Sequence, residues 1–198
     1  VRARQLHFGH VAKILAGVCE GLQHAHSALG PNREPLGLVH RDVSPQNIII
    51  SPEGVPKLLD FGVAKARGRL TTTEAGTLKG KLRYMAPEQI QQGNLDHRAD
   101  VFSVGVLLCE ATTGRNPFGA KQVTEVQLFK NIVSGSYSRP SQLAASYPAE
   151  LERIVLWAIE PDVEKRCPSA EALQEALENF VSAGPYASSQ RAMAAWMA

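Results

Sequence analysis

Apolar residues recur at spacings of three and four from Leu6 to Leu29, through Val11, Ile14, Leu15, Val18 and Leu22, and predict an amphipathic helix. The stretch Gly30-Pro31-Asn32-Arg33-Glu34-Pro35 interrupts it as a loop. Two short β-like runs follow, Leu36–Val39 and Asn47–Ser51, the second with three consecutive isoleucines. A Pro52-Glu53-Gly54 turn joins that run to Lys57-Leu58-Leu59, which predicts a hairpin. Residues 62–83 are polar, rich in threonine and basic, without clear period, and read as a long loop. Ala99–Thr113 is apolar nearly all round, the pattern of a central, buried helix, and Gly114 and Pro117 end it. Further helices are expected over Lys121–Ser134, over Glu150–Ile159 before Pro161, and from Pro168 or Ser169 to Val181, with Ser169 as a cap. Trp157, in an amphipathic helix, is expected in the core. The sum is a mainly α chain with a small β element, one lobe over residues 1–182 and a loosely docked, small-residue tail over 183–198. There are no internal repeats.

Composition narrows this. With 198 residues, 44% of them hydrophobic, the chain can bury a core of one domain. A formal net charge of +2 gives no sign of a polyanionic partner. Cys19, Cys109 and Cys167 are far apart and odd in number, which fits a reduced, cytoplasmic setting better than a disulfide scaffold. The longest apolar run, Val101–Cys109, is too short to span a bilayer. No signal peptide is visible, and a start at Val1, already near a helical pattern, is the expectation for a piece of something longer. His7 and His10, or His24 and His26, lack further ligands at metal-binding spacing.

The chemistry is concentrated in His40-Arg41-Asp42-Val43-Ser44-Pro45-Gln46-Asn47, then Asp60-Phe61-Gly62, then Ala86-Pro87-Glu88. Phosphoryl transfer requires an in-line hydroxyl and neutralisation of several anionic oxygens. Asp42 on a tight loop suits a hydrogen bond from a hydroxyl, and Asn47 and Asp60 are hard oxygen ligands suited to Mg2+. Singly, each has an ordinary alternative: a turn cap, a polar β-edge residue, a turn acid. Together, in this order and spacing, they resemble the eukaryotic-type protein kinase family, including its bacterial members, over most of the chain.

The resemblance implies a helical C-terminal kinase lobe with a small β-hairpin at its catalytic edge, working with ATP and Mg2+ on serine or threonine hydroxyls of a protein substrate. It implies that Asp42 receives the substrate hydroxyl, that Asn47 and Asp60 hold the metal and nucleotide phosphates, and that His40 stacks with Phe61. It pairs Glu88 with Arg166, and gives Asp100 the role of holding the catalytic loop from below, beside the plain reading of an acid at a helix N-terminus. Arg41 and Lys65 could receive a phosphate carried on Thr71, Thr72, Thr73 or Thr77, with Thr77 at the position of the family's main activation phosphosite. The plain reading of Lys65, Arg67, Arg69, Lys79, Lys81 and Arg83 is a solvated basic loop; as a nucleic-acid patch the run is weak.

Three departures stand out. Ser44 occupies the position where the family's Ser/Thr members usually carry a lysine, and Lys81 the position of a usual threonine. Lys81 is therefore a candidate catalytic cation replacing the one lost at Ser44. Only 39 residues precede His40, with no glycine-rich phosphate loop or Val-Ala-x-Lys strand among them. Alone, the chain is expected to be inactive for want of its N-terminal lobe. An active kinase cut to a fragment and a kinase-like binding module remain the competing readings, with a small-molecule phosphotransferase behind both.

Overall fold

The computed structural model describes residues 7–60, 82–119, 123–186 and 188. Helix α1 spans Phe8–His26 and is capped by the His7 imidazole, which accepts from the Gly9 amide at 3.4 Å. A single 3-10 turn, Pro45–Asn47, leads into strand β1, Ile48–Ile50, which pairs antiparallel with β2, Pro56–Leu58, in the register Ile48 to Leu58 and Ile50 to Pro56. A second 3-10 turn, Leu82–Tyr84, precedes the short helix α2, Pro87–Ile90. Then come α3, Arg98–Thr113; α4, Glu125–Ser134; the short α5, Pro140–Leu143; α6, Ala149–Ala158; and α7, Ala170–Ala183.

Helix α3 is the axis of the lobe, buried without a break from Ala99 to Cys109. Its Gly105 lets α6 approach so closely that a β-carbon there would stand 2.6 Å from the Ala158 methyl. Gly114 ends α3 in the left-handed conformation, φ 73°, which glycine adopts without steric cost. Thr124 and Ser169 cap α4 and α7 through their hydroxyls. Helix α7 packs along α1, which brings the two ends of the described chain together. Tyr186 continues that contact, stacked on Phe180 at 5.2 Å and edge-on to Phe8 at 5.6 Å. Among the described residues, no helix is long and apolar enough to cross a membrane.

Two expectations need correction. Leu36–Val39 is not a strand: Gly37 turns to φ 58°, which breaks the extended run, and Leu36 and Leu38 stay 47% and 40% exposed. Trp157 is 38% exposed rather than in the core, because α6 buries the stripe Leu151, Ile154, Val155 and Ala158, and Trp157 lies on its flank. The tail beyond Ser188 lies outside the described residues.

Candidate active site

The site hangs from one buried carboxylate. Asp100, in the first turn of α3 and fully buried, accepts from two consecutive amides, His40 N at 2.8 Å through Oδ2 and Arg41 N at 2.8 Å through Oδ1. His26, at the end of α1, adds its Nε2 to Oδ2 at 2.8 Å. A carboxylate with three such partners repays its desolvation through charge-assisted hydrogen bonds. The bonds also hold Arg41 in a left-handed backbone, φ 65°, that a non-glycine residue adopts only when its surroundings impose it. The next residue is Asp42, whose amide meets His40 Nδ1 at 3.3 Å.

Asn47 closes the loop from the other side. Its Nδ2 donates to the Asp42 carbonyl at 2.7 Å, which turns the amide oxygen away from that carbonyl. Its own carbonyl accepts from Leu59 N at 2.8 Å, just past the paired part of the hairpin. The Leu59 carbonyl in turn meets His40 Nε2 at 2.9 Å. These bonds bring the segment ending in Asp60 beside the one carrying Asp42 and Asn47. Asp60 is exposed and left-handed, φ 55°, while Asn47 is 6% exposed. A carboxylate and an amide oxygen on adjoining segments are donor types suited to a hard divalent cation such as Mg2+. Ser44 is 1% exposed, and its hydroxyl has no hydrogen-bond partner among the described residues.

The segment from Leu82 to Ile90 is anchored to the same base. Arg166 places Nη1 2.7 Å from Glu88 Oε1 and Nη2 3.0 Å from Oε2, with its guanidinium 5.0 Å from the Phe102 ring centre. Tyr84 donates to the Glu110 carboxylate of α3 at 2.7 Å; burial, and then that bond, hold its phenol well above the usual range. Ser103, also on α3, donates to the Tyr84 carbonyl at 2.7 Å. Gln89 bridges Ala86 N and the Arg41 carbonyl. Phe61, Gly62, Lys65, Thr71, Thr72, Thr73, Thr77 and Lys81 lie outside the described residues.

Sequence reasoning missed His26 and Gln89. The doublet His24 and His26 drew notice only as a possible metal pair, and Gln89 carries no charge or spacing that marks it. The signal for either is a contact across 74 or 48 residues of sequence.

Comparison with known proteins bears on the family of the chain. The family model of the protein kinase domain matches residues 2–177. A tyrosine-protein kinase MasK of Myxococcus xanthus is 41% identical over 172 residues, which cover 87% of this chain and 26% of that protein. A serine/threonine-protein kinase PknL of Mycobacterium tuberculosis is 36% identical over 168 residues, 85% of this chain and 40% of that protein. The chain thus spans well under half the length of these relatives. Helices around a buried α3, a small antiparallel hairpin, the three-part motif in its sequence and the match to the domain model lead to one assignment: this chain belongs to the protein kinase family.

Proposed function

We propose that this chain is the C-terminal lobe of a protein serine/threonine kinase, and that with an N-terminal lobe it transfers the γ-phosphate of ATP to protein hydroxyls. The observation that carries the reading is the ring of hydrogen bonds from Asp100 through Arg41 and Asp42 to Asn47, Leu59 and His40. It supports the reading by holding the backbone of Asp42 and Asn47 beside the segment that ends in Asp60. Asp42 orients the attacking hydroxyl and accepts its proton; the new O–P bond forms as the bond between the γ-phosphorus and the bridging oxygen breaks, leaving ADP. Asn47 and Asp60 would hold Mg2+, which supplies charge neutralisation at the phosphate oxygens. A cytoplasmic setting accords with the three buried, unpaired cysteines.

In a protein extended to include the N-terminal lobe, Asp42→Ala and Asp60→Ala should each lower transfer by orders of magnitude. The present chain alone should show negligible transfer, since the glycine-rich loop and lysine of the other lobe provide most of the grip on ATP. Near-normal turnover of the extended Asp60→Ala variant would defeat the assignment. Phosphorylation within Thr71–Thr77, foremost Thr77, belongs to the same proposal: the phosphate would bind Arg41 and Lys65. It is sought by mass spectrometry of the active extended protein.

Transfer to tyrosine is a second reading. It is favoured by the name of the Myxococcus relative and by Ser44, which departs from the lysine of the Ser/Thr members. Phosphoamino-acid analysis of the labelled substrate separates the two. A kinase-like binding module is the third reading, and it would leave both Asp variants indistinguishable from the parent.

A further inference from the structure

One side chain between the segment bearing Glu88 and the segment bearing Asp42 has both of its ends committed. Gln89, on α2, accepts through Oε1 from the Ala86 amide at 2.9 Å. Its Nε2 donates to the Arg41 carbonyl at 3.1 Å. The first bond assigns the amide, because an N–H can face only the oxygen; the nitrogen must then face Arg41. The preceding residue, Glu88, is clamped by Arg166, so α2 is fixed to the helical base on one side and reaches the catalytic loop on the other.

The acceptor matters more than the bond count. The Arg41 carbonyl and the Asp42 N–H belong to one planar peptide unit. Its N–H side points to His40 Nδ1 at 3.3 Å, a long bond, and its carbonyl side is held by Gln89. The preceding peptide plane, which carries the Arg41 N–H, is fixed by Asp100. With Arg41 at φ 65°, the tilt of the Arg41–Asp42 plane decides where the Asp42 side chain starts. The backbone there is in a region that relaxes readily once its restraints go.

We propose that Gln89 is a positioning residue that couples the docking of α2 to the aim of Asp42. While α2 sits on Arg166, Gln89 holds the Arg41–Asp42 peptide in the tilt that points Asp42 at the substrate hydroxyl. Displacement of α2 withdraws the amide and lets the plane turn. The proposal rests on the phosphotransfer reading above and adds to it a link between the Ala86-Pro87-Glu88 segment and the catalytic aspartate.

The test uses the extended protein, with Asp42→Ala as control. Gln89→Glu keeps the oxygen that caps Ala86 and sets a second oxygen against the Arg41 carbonyl, so only the link is broken. Gln89→Met keeps the shape and loses both bonds. Both should lower kcat about tenfold or more while KM for a peptide substrate changes by less than about twofold. The kcat of Gln89→Glu, divided by that of the parent, should rise as pH falls and the new carboxyl regains a donor proton. A merely structural cap would show none of this pH signature. Should Gln89→Glu fail to fold, Gln89→Met carries the test through the split between its constants: a fall in kcat with KM for the peptide held supports the link, and an unchanged kcat or a change in KM alone overturns it. Unchanged kcat in the folded variants, or a loss in Gln89→Met that Gln89→Glu does not share, overturns the proposal and leaves the kinase reading standing. Full turnover in Asp42→Ala sinks both.

Discussion

Arg166→Met is the most informative single change to the lobe. The guanidinium has five N–H groups, and all five are used: Nε to the Glu160 carbonyl at 2.8 Å, Nη1 to Glu88 Oε1 at 2.7 Å and the Arg98 carbonyl at 3.0 Å, Nη2 to Glu88 Oε2 at 3.0 Å and the Pro161 carbonyl at 3.2 Å. Methionine fills much of the space beside Phe102 and makes none of these bonds. The Glu88 carboxylate, 9% exposed, is then left buried without its countercharge. Breaking one side of such a pair costs about 3–5 kcal/mol, a large part of the roughly 5–15 kcal/mol that holds an ordinary domain together. Urea unfolding, followed by circular dichroism, should show a midpoint lowered accordingly. The double variant Arg166→Met with Glu88→Leu removes the stranded charge, so it should be more stable than Arg166→Met alone. A loss below about 1 kcal/mol for the single change, or effects that add within about 0.5 kcal/mol, would refute the reasoning.

Three further outcomes are expected. Burial raises the thiols of Cys19, Cys109 and Cys167, the last two to about 12 and about 11, and burial likewise raises the phenols of Tyr84 and Tyr147. Above their ordinary values of 9.0 and 10.0, the unfolded chain loses these protons while the folded one keeps them. Stability should therefore fall as pH rises from 9.0, by up to about 1.4 kcal/mol per pH unit for each group; urea midpoints that stay level across that range would contradict it. Gly105→Ala should lower the melting temperature, since its methyl meets Ala158 Cβ at 2.6 Å and Ile159 Cγ2 at 2.8 Å. The overpacking cost of about 1–3 kcal/mol is offset only in part by a helix-propensity gain of about 1 kcal/mol, and a melting temperature at or above the parent's counts against this close approach. In the extended protein, Lys81→Ala should lower kcat strongly, and Ser44→Lys with Lys81→Thr should restore part of it; no loss on Lys81→Ala would mark the exchange as an accident of sequence.

Much of the fold was legible because its signals are local. Ala99–Thr113 is apolar nearly all round and reads as central; the Gly114 end and the Ser169 cap are written in single residues; Pro52-Glu53-Gly54 between apolar runs marks the hairpin. Leu36–Val39 misled because alternating apolar residues say nothing about a partner strand, and Gly37 supplies the φ that denies one. Trp157 misled because helical spacing locates a stripe but not its width. The motif singled out Asp42, Asn47 and Asp60; the Asn47–Asp42 bond is local, but the bonds to Asp100 and Leu59 that arrange their backbone are long-range. That His26 reaches Asp100, and Gln89 the Arg41 carbonyl, depends on how α1, α2 and α3 pack, which no local pattern encodes.

The Asp100 carboxylate has a consequence for how the protein fails on heating. Many sites sit on loops that open well before their scaffold does. Here the backbone leading to Asp42 is fastened to the first turn of the most deeply buried helix, through an anion that is itself excluded from water. Detaching the loop would strand that anion, so local opening there is nearly as costly as melting α3. The amides of His40 and Arg41 should accordingly exchange with solvent as slowly as the core of the lobe, despite lying outside any helix or strand, and heat should open this loop and melt the helices in a single step.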